Sequence, residues 1–175
     1  MLFRSRTVQT ADILFGPRCV QDRDARLIEC DYGQWQGKAL ADLATLDEWS
    51  TVQKAPDTFT FPEGEAMAEM SRRAVECIRE WDARVTSEHG AGAVWSAVSH
   101  GDVIKAIVAD ALGTPLARFQ SIMIDPASVT VIRYGEHGSA VLKLNDAGDA
   151  WLSALQSTAE DQQPTIGGQR GKEQG

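Results

Sequence analysis

The sequence is short of the residue types that build metal centres and disulfide frameworks. Its 175 residues include only three histidines and three cysteines. The cysteines (Cys19, Cys30 and Cys77) are widely spaced, and no Cys-x-x-Cys pair occurs among them. An odd number of dispersed thiols is typical of a protein kept in a reducing compartment. We therefore expect free thiols and no bound metal.

Positive charge and long apolar runs are also scarce. The sequence has 17 Lys and Arg residues and 25 Asp and Glu residues, which gives a formal net charge of −8. A negative surface repels nucleic acid and anionic membranes. No apolar run is long enough to span a membrane, and no signal-peptide pattern follows Met1. These absences predict a cytoplasmic protein without nucleic-acid or membrane partners, and they leave the oligomeric state unknown.

What remains is the composition of one ordinary globular domain, with 43% hydrophobic residues. The chain becomes polar and rich in Gly and Gln near its end. We therefore predict a domain over residues 1–155 and a disordered tail over residues 156–175.

Hydrophobic periodicity predicts alternating helices and strands. Helices are expected over residues 4–15, 38–49, 64–89 and 103–112, and extended segments over 27–32, 93–99, 129–134 and 140–144. The apolar run 93–99 is typical of a strand buried on both faces. Such alternation favours an α/β sandwich, in which chemistry collects at the carboxyl ends of strands.

The first candidate site residue is His100, which follows that apolar run. Gly101 allows a tight turn, and a helix begins near Asp102. A helix N-terminus beside an imidazole is suited to binding a phosphate group. On the residues alone, a histidine that merely caps the strand is an equally good interpretation.

Two further segments carry candidate residues. Glu29 ends a short extended segment before a Gly- and Trp-containing loop, where a carboxyl group could act as a general acid. Without other support, Glu29 and its neighbour Asp31 are more simply interpreted as surface charges. Arg6, near the start of the first helix, could grip an oxyanion with two hydrogen bonds, although most helical arginines are solvated.

Together these segments resemble the histidine phosphatase superfamily, whose fold is phosphoglycerate mutase-like. Four motifs agree with the family in order and spacing across roughly residues 6–145. They are Arg-x-x-Gln-Thr-Ala from Arg6, Leu-x-Glu-x-x-x-Gly-x-Trp-x-Gly from Leu27, Pro-x-Gly-Glu from Pro62, and Val-Ser-His-Gly from Val98. Within the superfamily, the chain resembles actinobacterial proteins described as phosphomutases or phosphatases.

The resemblance implies a three-layer α/β/α sandwich and a reaction on a small phosphorylated substrate through a phosphohistidine. It assigns Arg6 to phosphate binding, His100 to stabilising charge in the transition state, and Glu29 to protonating the leaving oxygen. Gly101, at the start of the helix, adds a backbone N–H to the phosphate site. The family requires no metal or other cofactor.

One departure from the family pattern changes the expectation for this chain. The family's first strand ends in Arg-His-Gly, whose histidine is phosphorylated, and this triplet is absent here. His89 and His137 precede glycines, but neither follows a strand at the right place in the motif order. We therefore expect an N-terminally truncated domain that lacks its first strand and is inactive as given.

Two functions remain open on the sequence. One is phosphomonoester hydrolysis, or phosphoryl transfer, by a protein whose nucleophile-bearing segment is missing from this chain. The alternative is a catalytically inactive relative or fragment that binds a phosphorylated ligand or a protein partner.

Overall fold

The computed structural model describes residues 5–16, 19 and 21–148. Its regular elements are helices and one two-stranded sheet: α1 (Ser5–Phe15), α2 (Leu40–Leu43), α3 (Trp49–Lys54), α4 (Met67–His89), α5 (Gly101–Ala111), β1 (Val129–Gly135) and β2 (Gly138–Asp146). Short 3-10 turns occur at Ala25–Leu27, Gly33–Trp35, Pro56–Thr58 and Leu116–Ser121. The predicted domain end at residue 155 and the predicted tail lie outside the described residues.

The two long helices α4 and α5 pack against each other and form the centre of the core. On α4 the buried positions recur at helical spacing and are Met67, Met70, Ala74, Cys77 and Ile78. The helix ends where Gly90 adopts a φ of 89°, a conformation that favours glycine. Most residues of α5 are buried, so this helix passes through the interior. Both predicted helices are confirmed.

An aromatic cluster lies under the loop that follows Glu29. Phe61 has its ring centroid 5.1 Å from that of Tyr32, 5.4 Å from that of Trp35 and 5.0 Å from that of Phe59. All four side chains are buried. Edge-to-face packing of this kind holds the loop with little freedom.

The predicted helix over residues 38–49 is only partly formed. It consists of the single turn α2 followed by irregular turns, and a second short helix, α3, begins at its last residue. Leu43 is buried and Leu46 is exposed, although one continuous helix would place them on the same face, so only the first part of the predicted apolar stripe enters the core.

The predicted strand over residues 93–99 is wrong for this chain. These residues carry no regular secondary structure, and Val94 is 94% exposed. Within the described residues, no backbone hydrogen bond joins residues 94–99 to another segment. An apolar strand needs a neighbouring strand to satisfy its backbone groups, and none is paired with it here.

The hairpin β1–β2 is confirmed as an antiparallel pair. It is fastened to the end of α5 by Ser139, whose hydroxyl donates to the Ala111 carbonyl at 2.8 Å. The extended segment predicted over residues 27–32 carries no strand pairing, and it begins in a 3-10 turn. In the described part of the chain, no helix has the length and apolarity that crossing a membrane requires.

Candidate active site

His100 is the residue from which α5 begins. It is the N-cap of that helix, only 5% exposed, with extended backbone angles (φ −124°, ψ 163°). Its carbonyl accepts the first helical hydrogen bond, from the Ile104 N–H at 2.9 Å. The N–H groups of the first turn, including that of Gly101, therefore point towards the region around the imidazole and provide partial positive charge.

Arg6 reaches His100 across 94 positions of sequence. Its Nη2 lies 3.1 Å from His100 Nδ1 and its Nε lies 3.4 Å from the same atom. A guanidinium group only donates, so these hydrogen bonds require Nδ1 to accept, which is the arrangement of the imidazole tautomer with its proton on Nε2. The geometry thus places a permanent cation, an imidazole and a helix N-terminus at one point.

Glu29 is buried, at 3% exposure, in contrast to the surface charge that its residue type suggests. The Cys30 N–H donates to Glu29 Oε1 at 3.2 Å. The segment carrying Glu29 is tied to the segment before α5, because the Ser99 hydroxyl donates to the Leu27 carbonyl at 2.8 Å. This bond connects the stretch that carries Glu29 to the residue next to His100.

Arg73 on α4 clamps the Glu29 segment, a role that its sequence position did not reveal. Its guanidinium forms a two-pronged ion pair with Glu65 at 2.6 and 2.8 Å. It also donates to the carbonyl of Arg26 at 2.5 Å and to that of Glu29 at 3.4 Å. The Glu of the Pro-x-Gly-Glu motif therefore holds a structural arginine in this chain.

Two glycines let the Pro-x-Gly-Glu loop and the Glu29 loop touch. A Cβ on Gly33 would lie 2.1 Å from the Pro62 carbonyl oxygen, and one on Gly64 would lie 2.4 Å from the Asp31 carbonyl oxygen. The Gln34 N–H donates to the Pro62 carbonyl at 2.9 Å across this contact. Only glycine permits so close an approach of two backbones.

Asp31, the rival acid two residues after Glu29, is exposed and is used by the turn itself. Its carboxylate accepts from the Gly33 N–H at 3.0 Å, and its carbonyl accepts from the Glu65 N–H at 2.8 Å. A short side chain that closes its own turn is a common role for aspartate. The geometry therefore favours Glu29 as the candidate acid.

The two buried cysteines and the two other histidines are poor rivals for the role of nucleophile. Burial raises the pKa of the Cys30 thiol well above its usual range and that of Cys77 to about 12, so both remain neutral thiols. His89 is the exposed last residue of α4, and His137 is exposed in the turn between β1 and β2. Across the described ranges, no group of three or more potential metal-binding side chains occurs.

A groove of about 600 Å³ opens beside His100. One wall is α1, with Val8, Ala11 and Phe15, and another is α4, with Trp81 and Val85. Residues 94–98, whose backbone groups have no partner in a sheet, also line it. The groove therefore combines apolar side chains with charged ones such as Asp22, Arg23 and Arg84, and within the described residues one of its edges is backbone without a strand partner.

Comparison with known proteins identifies the family to which this chain belongs. The model of the histidine phosphatase superfamily (branch 1) matches residues 4–147. The chain belongs to this superfamily. The α/β fold class expected from the sequence is therefore confirmed.

The relatives include several phosphatases. Phosphoserine phosphatase 1 of Hydrogenobacter thermophilus is 29% identical over 125 residues, which are 70% of this chain and 57% of that protein. The structure of Bacillus stearothermophilus YhfR matches with a TM-score of 0.70 and 27% identity, over 82% of this chain and 70% of that one. A mycobacterial glucosyl-3-phosphoglycerate phosphatase with inorganic phosphate matches with a TM-score of 0.67 and 25% identity, over 80% and 72%. The chain thus spans little more than half the length of the curated relative.

Proposed function

We propose that this protein hydrolyses phosphate monoesters through a phosphohistidine. The observation that carries the proposal is the convergence of Arg6 and His100, whose side-chain nitrogens lie 3.1 Å apart at the N-terminus of α5. A guanidinium group, an imidazole and free helical N–H groups are together complementary to the oxygens of a transferring phosphoryl group. The phosphatases among its relatives support the same class of reaction.

In this proposal the chain's own residues divide the work. Arg6 and the Gly101 N–H bind the non-bridging oxygens of a small phosphorylated substrate. His100 stabilises the charge that develops on phosphorus and its oxygens. Glu29 protonates the leaving oxygen and then activates water. Its burial suits this role, because a shielded carboxyl group transfers its proton to the substrate and not to bulk solvent.

The attacking histidine is proposed to lie on a segment missing from this chain. No Arg-His-Gly occurs in the sequence, and His89 and His137 lie in exposed positions outside the motif order. Two features of the groove beside His100 support a seated strand: apolar side chains on α1 and α4, and the backbone of residues 94–98, which pairs with no strand among the described residues. A strand seated there would satisfy this backbone edge and would end next to Arg6 and His100.

The test compares the 175-residue chain with a product extended by the in-frame codons upstream of Met1. We expect those codons to encode an apolar strand ending in Arg-His-Gly, and only the extended protein to hydrolyse p-nitrophenyl phosphate. Turnover of about 1 per second, a usual enzymatic rate, is the benchmark. His100→Ala must abolish it, which excludes a contaminating phosphatase.

Either of two results would contradict the proposal. Turnover at that rate by the unextended chain, lost on His100→Ala, would place the nucleophile within these 175 residues. An in-frame stop codon immediately upstream, with phosphate binding but no turnover, would favour the inactive relative that only binds a phosphorylated ligand.

A further inference from the structure

A fully buried ion pair lies directly behind the candidate phosphate site. Asp102, two residues after His100, and Lys105, one helical turn further along α5, are each 1% exposed. Lys105 Nζ lies 3.5 Å from Asp102 Oδ1 and donates to Gln120 Oε1 at 3.1 Å. The Tyr32 hydroxyl donates to Asp102 Oδ2 at 3.0 Å.

Asp102 connects the two halves of the site. Tyr32 belongs to the loop that carries Glu29, and Asp102 belongs to the helix that begins at His100. The hydrogen bond between them therefore fixes the acid loop against α5. This accounts for the carboxylate, but it does not account for the buried lysine beside it.

Stability is a weak explanation for the lysine. Removing an ammonium group from water is unfavourable, and an apolar pair of similar volume is often as stable as a buried ion pair or more so. A charge that is expensive to bury and lies behind an anion site calls for an explanation in terms of that site.

The negative charge of Asp102 would repel a phosphate bound beside His100, and the positive charge of Lys105 offsets it. Asp102 lies in the first turn of α5, where the helix dipole favours negative charge. A phosphate dianion beside His100 would use the same end of the helix, so an uncompensated carboxylate there would repel it. Lys105 cancels the charge of Asp102 at short range, in an interior where water screens charge poorly.

We infer that Lys105 sets the phosphate affinity of this site by neutralising Asp102, the residue that fastens the acid loop to the helix. Lys105 is thus a positioning residue that acts on the substrate through charge balance. The inference rests on the proposed function, because it requires a phosphate to bind beside His100.

The test measures binding of inorganic phosphate to the full 175-residue chain by calorimetry at constant ionic strength. At roughly 10 Å and an effective dielectric constant of about 20, one charge changes the affinity for a phosphate dianion by about 300-fold in the absence of salt, and screening by salt reduces this to about 10-fold or somewhat more. We expect Lys105→Met to weaken binding by about that factor and Asp102→Asn to strengthen it. The double variant, in which both charges are absent, should return to within about 2-fold of the original affinity.

Lys143→Met is the matched control. Lys143 also pairs with an aspartate three residues away, Asp146, but both side chains are exposed in the hairpin. It changes the net charge by the same amount and should leave phosphate affinity unchanged. Thermal unfolding of each variant verifies folding. If Lys105→Met does not fold, the expected tighter binding by Asp102→Asn still tests the inference.

The outcomes separate this inference from the proposed function. If the unsubstituted chain binds phosphate but the double variant remains as weak as Lys105→Met, the lysine acts structurally and the charge-balance inference is wrong. Weaker binding by Asp102→Asn would refute it equally. If the unsubstituted chain does not bind phosphate, the proposed anion site itself fails.

Discussion

Replacing Arg73 by methionine should destabilise the protein more than its position on a charged helix suggests. The substitution keeps the aliphatic stem and removes a two-pronged ion pair with Glu65 together with hydrogen bonds to the carbonyls of Arg26 and Glu29. Hydrogen bonds to charged groups contribute about 1.5–3 kcal/mol each, and breaking a buried pair from one side costs about 3–5 kcal/mol. The Arg73 and Glu65 side chains retain 18% and 22% exposure, so we expect a loss of about 2–4 kcal/mol after screening.

Urea unfolding measures this loss directly. With an m-value of about 2 kcal/mol/M, the midpoint should fall by about 1–2 M without a change in m. Arg72→Met is the matched control, because Arg72 is the neighbouring residue on α4 and pairs with Glu69 and Glu76 on the exposed surface. Its midpoint should fall by less than about 0.5 M. Equal shifts for the two variants would refute the idea that Arg73 clamps the Glu29 segment.

Two further predictions concern the acid and the dependence of stability on pH. In an extended, active protein, Glu29→Gln should slow hydrolysis of alkyl phosphates by about 100- to 10,000-fold, yet slow the burst with p-nitrophenyl phosphate much less, because nitrophenolate leaves without a proton. Asp31→Asn should not reproduce this difference between the two substrates. Burst rates measured by rapid quench would decide against Glu29 if Glu29→Gln slowed both substrates equally. Hydrogen bonds from the Arg26 side chain hold the pKa of Asp24 well below its usual value, so the stability they contribute is present above about pH 4 and is lost as the pH falls towards the folded pKa. The difference in unfolding free energy between the unsubstituted protein and Asp24→Asn should therefore shrink between pH 7 and pH 2, and a constant difference in urea melts would contradict this origin.

Local patterns in the sequence were sufficient to predict the elements whose backbone hydrogen bonds form within the element itself. The apolar stripe from Met67 to Ile78 predicts α4, and Gly90 predicts its end, because helical hydrogen bonds form within the segment. The hairpin β1–β2 is equally local, since each strand supplies the other's partners. The run 93–99 differs, because its pairing depends on a strand that is not contiguous with it.

The candidate site divides in the same way. The order of the motifs was enough to nominate Arg6, Glu29 and His100, and the structure brings Arg6 and His100 together and buries Glu29. The motifs do not distinguish Arg73, a structural clamp, from its exposed neighbour Arg72; the available signal is helical periodicity, which places Arg73 beside the buried stripe of α4 and Arg72 on the opposite face. Burial decides their roles, and burial depends on which segment packs against each face.

The sequence by itself determined the family, the main helices, the hairpin and the chemistry of the candidate residues, because residue type and spacing are local properties. Only the tertiary structure decided which charged side chains are buried. It placed Asp102 and Lys105 in the interior behind His100, and it set residues 94–98 beside a groove with no strand partner among the described residues. The strength of a charge interaction and the need of a backbone group for a hydrogen-bond partner both depend on access to solvent. Which groups lose that access is decided only when the chain folds.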